Sequence, residues 1–130
     1  MAGKHNNADG HHNMMIGDEN DVEGNENIVI GHENELDGSK NGIKGDQNQI
    51  QGSKNYGLGD LNKMLGDLNS VEGSMNSVNG FENKIKGDLN DIFEGSRNKI
   101  KGNKNKLSGD DNIVKGDINA ITGDKNKVRG

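Results

Sequence analysis

The chain contains no cysteine, no proline and no tryptophan, and only one tyrosine and two phenylalanines among its 130 residues. The absence of cysteine excludes disulfide staples and thiolate metal sites, while leaving the compartment open. No apolar run approaches membrane-spanning length and Met1 to Gly10 is polar, so neither a transmembrane segment nor a secretory signal peptide is expected. Localisation is then cytoplasmic by default, or extracellular through a non-standard export route. Hydrophobic residues make up 27% of the chain and its mean hydropathy is -1.01, a composition that borders on the disordered class.

Periodicity overrides that composition. Asparagine stands at every seventh residue from Asn6 to Asn90 and, after a one-residue shift, from Asn98 to Asn126, which makes 18 repeats of Gly-x-x-Asn-x-φ-x between residues 3 and 129. The shift falls in an eight-residue repeat at 87–94, read as a bulged corner rather than a boundary, so residues 1–130 form a single domain. A coiled coil is excluded, because Gly and Asn are poor helix formers and each heptad has one dependable apolar place. In an extended chain the fourth and sixth residues of a repeat share one side, and the third, fifth and seventh share the other. The sixth places, Val22, Val29, Leu36, Ile43, Ile50, Met64, Val71, Val78, Ile85, Ile92, Ile100, Leu107, Val114, Ile121 and Val128, are the predicted core. Ala8 and Gly57 are weak points in it.

The number of heptads per turn follows from the outward pairs. Asn7 and Asp9, Met14 and Ile16, Asp21 and Glu23, Ile28 and Ile30, Glu35 and Asp37 alternate in character, so likeness recurs at fourteen residues rather than seven or twenty-one. The predicted fold is all-β: a two-sheet parallel β-solenoid, or β-roll, with about 14 residues per coil and about nine coils. At about 4.8 Å per strand it makes a rod roughly 43 Å long. Its interior carries an asparagine ladder through Asn20, Asn27, Asn34, Asn48, Asn62, Asn69, Asn76, Asn83, Asn90, Asn98, Asn105, Asn112 and Asn119. Each carboxamide donates to one neighbour and accepts from the other, which relieves buried amides of a cost of about 1–3 kcal/mol apiece.

Ser77-Val78-Asn79-Gly80 and Asp88-Leu89-Asn90-Asp91-Ile92-Phe93-Glu94-Gly95 display two repeat lengths. In these the chain resembles the ice-recrystallisation-inhibition and antifreeze proteins of grasses, whose β-rolls are built from xxNxVxG and xxNxVxxG repeats. It is also similar to the heads of trimeric autotransporter adhesins. These resemblances imply a left-handed coil, and either ice binding through a flat face of regularly spaced Thr, Ser and Val or an adhesin-like role. The residues themselves argue against ice. Places read as outward carry Glu19, Glu26, Glu33, Lys40, Lys54, Lys84, Lys99 and Lys127, and Thr122 is the only threonine.

No arrangement of nucleophile, base and oxyanion donors emerges, so the sequence predicts neither an enzyme nor a small-molecule substrate, and it implies no cofactor. The recurrent Gly-Asp-x-Asn at Asp18, Asp46, Asp60, Asp67, Asp88, Asp110, Asp117 and Asp124 resembles calcium-loop chemistry, but Ser39, Ser53, Ser74, Phe81 and Ser96 share the same place. Local turn hydrogen bonds after a corner Gly are the expected role. His5, His11, His12 and His32 define no tetrahedral set, and no metal is assigned.

The principal expectation is self-assembly. Distinct capping coils are absent, and charge is polarised: Met1–Asp37 carries nine acids and one lysine, whereas Gly95–Gly130 carries nine Lys or Arg and four Asp. Oppositely charged ends predict a head-to-tail homopolymer, which is heterologous and therefore open-ended. Asp9, Asp21, Glu23, Glu35 and Asp37 on one sheet, and Lys84, Lys86, Lys99, Lys101, Lys115, Lys127 and Arg129 on the other, are candidate assembly patches for lateral packing. Two apolar stripes accompany them: Met14, Ile16, Ile28, Ile30, Tyr56 and Leu58, and Leu61, Leu65, Met75, Leu89, Phe93 and Ile118. The basic patch suits a polyanion as an alternative partner, although missing aromatic platforms and the net charge of -5 disfavour nucleic acid.

Overall fold

Each heptad folds as a short strand followed by a corner. A computed structural model describes residues 2–130 and contains eighteen strands and no helix among them. One sheet holds the odd strands, β1 (Asn7–Asp9), β3 (Asp21–Glu23), β5 (Glu35–Asp37), β7 (Gln49–Gln51), β9 (Lys63–Leu65), β11 (Ser77–Asn79), β13 (Asp91–Glu94), β15 (Lys106–Ser108) and β17 (Ala120–Thr122), in that spatial order. The other holds the even strands, β2 (Met14–Ile16), β4 (Ile28–Ile30), β6 (Gly42–Lys44), β8 (Tyr56–Leu58), β10 (Ser70–Glu72), β12 (Lys84–Lys86), β14 (Lys99–Lys101), β16 (Ile113–Lys115) and β18 (Lys127–Arg129). All pairings are parallel. The register places Val22 beside Leu36 and Val71 beside Ile85, fourteen residues apart, as a two-heptad coil requires.

Between the sheets lies a thin core. The sixth-place residues from Val22 to Ile121 are buried as expected; Met15 joins them, and Val128 is only partly covered. The void expected at Gly57 is closed by its neighbours, because the Met64 methyl and Ile43 Cδ1 occupy the space a Cβ would need.

The fourth place builds the ladder, which also includes Asn41 and Asn55, both buried. Asn76 illustrates its geometry. Its backbone N–H and its Nδ2 donate to Asn62 Oδ1 at 3.0 and 3.1 Å, and Nδ2 also donates to the Gly87 carbonyl at 2.8 Å. Its own Oδ1 accepts from the Asn90 N–H and Nδ2 at 2.9 and 3.1 Å. One side chain therefore ties three successive coils together. No buried side-chain N or O atom among the described residues lacks a partner, as expected of a native interior.

Two expectations need correction. The third place of each heptad is not a sheet position: all eighteen third-place residues sit at φ between 56° and 63° in the corner. Leu61, Met75, Leu89 and Ile118 thus form a ridge along one edge, while Leu65 and Phe93 belong to the odd sheet. The extra residue is not in a corner either. It extends β13, where the register shifts between Ile92 and Glu94 and Phe93 is pushed out to 63% exposure. A bulge at a strand end absorbs one residue and leaves the next corner in phase. At an ordinary corner such as Gly59 (φ 114°), a Cβ would collide with the Gly73 carbonyl of the adjacent coil, so the place is closed to other residues.

Replacing Asn76 by Ala should lower stability by about 3–6 kcal/mol, because several buried donors and acceptors lose their partner together. Asn126→Ala, whose side chain makes no such bonds, should change it by less than about 1 kcal/mol; equal urea midpoints for the two variants would refute the ladder as the main polar restraint. Ile118 is β-branched, at φ 59° and 76% exposed. Ile118→Asn should stabilise the fold by about 1 kcal/mol, since Asn tolerates the left-handed region and no packing is lost. A lowered melting temperature for that variant would contradict the assigned corner conformation.

Candidate functional site

With the interior committed to packing, only the corners and the outward places of the strands are free to recognise anything. The corners are largely occupied by structure. Most second-place side chains accept the backbone N–H of the second place one coil earlier: Asp18 Oδ1 from Lys4, Asp46 Oδ1 from His32 at 2.8 Å, Asp60 Oδ1 from Asp46 at 2.8 Å, Asp124 Oδ1 from Asp110 at 2.7 Å. Ser74 Oγ does the same for Asp60, and His32 Nδ1 for Asp18 at 3.0 Å. The corner hydrogen bonds expected from the Gly-Asp-x-Asn pattern are therefore between coils rather than within one turn. This explains why Asp, Ser, Asn and His are interchangeable there, since each offers the backbone an acceptor at that reach; Phe81 is an exception and offers none. Among the described residues, no group of three or more His, Cys, Asp or Glu is placed to hold a metal ion.

Third-place side chains point away from the corners and pair along the edge. Arg97 is bidentate to Asp111, with Nε to Oδ1 at 2.7 Å and a terminal nitrogen to Oδ2 at 2.8 Å. The hydrogen bond and then the charge of Arg97 hold the Asp111 carboxyl below the usual carboxylate range. The stabilisation this supplies is present above the unfolded-state pKa and is lost as pH falls through the lower folded-state value. Exposure to water keeps it small.

The two faces differ in charge. Outward places of the even sheet carry Lys44, Lys84, Lys86, Lys99, Lys101, Lys115, Lys127 and Arg129, against a single acid, Glu72. Those of the odd sheet carry Asp9, Asp21, Glu23, Glu35, Asp37, Asp91 and Glu94, against Lys63 and Lys106. The candidate patches thus fall where the heptad parity places them: acids exposed on β1, β3 and β5, and bases exposed on β12, β14, β16 and β18. They lie on opposite faces and toward opposite ends of the rod, and the structure does not bring them together within one molecule. The acidic strip ends against amides, with Gln49 donating to Glu35 at 2.9 Å and Gln51 to Asp37 at 3.3 Å. Of the basic residues on the even sheet, Lys86 reaches Glu72 at 2.8 Å, and among the described residues none of that sheet's other bases has a carboxylate within ion-pair distance.

The even sheet is itself divided. On β2, β4, β6 and β8 the outward residues are Met14, Ile16, Ile28, Ile30, Gly42, Lys44, Tyr56 and Leu58, so Lys44 is the only charge across four strands. Glu19, Glu26, Glu33, Lys40 and Lys54, read from sequence as outward charges, stand at corners instead. The apolar stripe expected on this sheet, Met14, Ile16, Ile28, Ile30, Tyr56 and Leu58, is thus less interrupted by charge than the third-place residues suggest, and the positive φ that removes those residues from the face leaves no composition signal. The depression lined by Lys86, Lys101 and Arg129, and that lined by Phe93, Leu107 and Thr122, are open to solvent, unlike an enclosed catalytic pocket.

A family model described as the grass antifreeze β-roll matches the chain over residues 1–87 and again over 64–130, so that the two matches together span its full length. No curated protein matches it.

Proposed function

We infer function from the premise that the chain belongs to the grass antifreeze β-roll family, and we propose that it is a non-enzymatic ice-binding protein acting through the apolar half of its even sheet. The observation that carries this reading is the run of outward places on β2, β4, β6 and β8, uncharged but for Lys44. Parallel pairing repeats those side chains about every 4.8 Å along the rod on a rigid plane. Adsorption to ice favours a surface that holds its contact atoms in a fixed lattice and binds little liquid water. Ile28 and Ile30 stand on a strand paired on both flanks, Met14 and Ile16 on the edge strand beside it, and none of them carries a hydrated charge to strip away. The argument from outward charges against ice applies to the corners and to the other half of the sheet.

A second reading, self-assembly, is favoured by the opposed charge of the two faces. If one rod lies antiparallel on the next, even sheet to odd sheet, the basic half of one meets the acidic half of the other. Such a contact uses two different surfaces and therefore continues from rod to rod. The end-to-end filament expected from the sequence is a further form of the same proposal.

Ice recrystallisation in the presence of the protein should be inhibited, and the Ile28→Lys/Ile30→Lys double variant should lose at least about ten-fold in potency while Lys99→Gln is unaffected, a loss of about 1.4 kcal/mol or more in surface affinity. Coarsening of ice at the same rate with and without the protein would sink the ice reading. For assembly, sedimentation velocity should detect multimers at low salt that dissolve at about 0.5 M, where charge interactions are screened within a few ångströms. A monomer under both conditions would dispose of it.

A further inference from the structure

We propose that the even sheet is also a docking face for an anionic lipid bilayer, with its basic half on the headgroups and its apolar half at the interface. This goes beyond ice binding: the basic half is not used by that reading, and the apolar half is shared with it. Lys84, Lys86, Lys99, Lys101, Lys115 and Lys127, with Arg129 beside them, stand in two files on β12, β14, β16 and β18. Neighbours within a file are about 4.8 Å apart along the rod, and the files are about 6.6 Å apart along the strands. Ile113 is the one apolar member of the array. Placing so many like charges at that spacing is unfavourable unless a counter-charge covers them, and Glu72 supplies only one.

The shape of the array selects the partner. Two straight files of bases on one sheet, with only open depressions between them, complement a plane, whereas a nucleic acid duplex offers a grooved surface. No aromatic residue stands among these lysines to stack on bases, which is the usual means of holding single strands. The same face continues without a corner into Met14, Ile16, Ile28, Ile30, Tyr56 and Leu58, and apolar side chains joined to a basic surface are the combination that seats peripheral proteins at the bilayer interface. The acidic odd sheet, on the opposite side of the rod, is repelled by the same surface, so the molecule is oriented with the even sheet down. Clusters of four to eight Lys or Arg suffice for recognition of anionic lipid.

The experiment is co-sedimentation of the full chain with vesicles of phosphatidylcholine alone or mixed with phosphatidylglycerol, in liquid buffer above freezing so that ice plays no part. Binding is expected to the mixed vesicles only and to fall with salt. Lys99→Gln/Lys101→Gln should weaken it about 30-fold, from the contribution of each basic residue near such a surface. These side chains point outward, and circular dichroism checks that the fold is retained. Tyr56 is the only tyrosine in a chain without tryptophan, so its emission reports on the apolar half. On mixed vesicles it should be shielded from acrylamide quenching. Equal partition onto neutral vesicles, unchanged binding of the double variant, or Tyr56 left fully quenchable would each overturn flat docking. Tight binding of a heparin oligosaccharide with no vesicle binding would do so too, in favour of a soluble polyanion. Loss of ice activity with vesicle binding intact would discard the ice reading alone.

Discussion

Everything in this rod follows from the requirement that residues fourteen apart hydrogen-bond to one another. Strand pairing imposes that requirement on the backbone, and the asparagine ladder imposes it again on the side chains. Because Asn76 reaches both Asn62 and Gly87, an error of one residue in any coil would unpair several buried groups at once. A thin core of single aliphatic side chains is sufficient in these circumstances. The polar interior adds direction to what would otherwise be an unspecific apolar column, and each coil is the template for the next.

The same constraint determines what can vary. Inward places and corner glycines are set by contact with the neighbouring coil, and the second place by the need for an acceptor. Phe93 marks the tolerance of the system, since one additional residue can be extruded at the end of β13 without altering the pairing beyond it. The outward places meet only solvent, and they hold the differences that matter for recognition. Here they sort into an acidic face and a face that is apolar over one half and basic over the other. A chain of net charge -5 thereby presents one strongly cationic plane. Net charge would have misrepresented it.

Family and function relate through these faces. Membership of the antifreeze β-roll family rests on the repeat itself, which spans the whole chain. The repeat specifies the scaffold, and the side chains at its outward places specify what that scaffold can recognise. The side chains that would separate an ice plane, a bilayer and a second rod as partners are Ile28, Ile30, Lys99 and Lys101 rather than any asparagine.

The heptad spacing of Asn, the apolar sixth place and the likeness of residues fourteen apart were enough by themselves to determine an all-β roll of two parallel sheets, its inward residues and which strands share a face. Strand parity is a local property, and local properties can be read from a linear pattern. Tertiary structure alone decided the third place, because a positive φ there arises from closing the corner over the coil beneath and leaves no mark on residues as different as Glu19, Leu61 and Ile118. It also decided the partners of the corner aspartates and the position of the bulge, since both depend on contacts one full coil away. Those contacts removed Glu19, Glu26, Glu33, Lys40 and Lys54 from the strand faces, so that the apolar stripe legible in the sequence stands free of their charges.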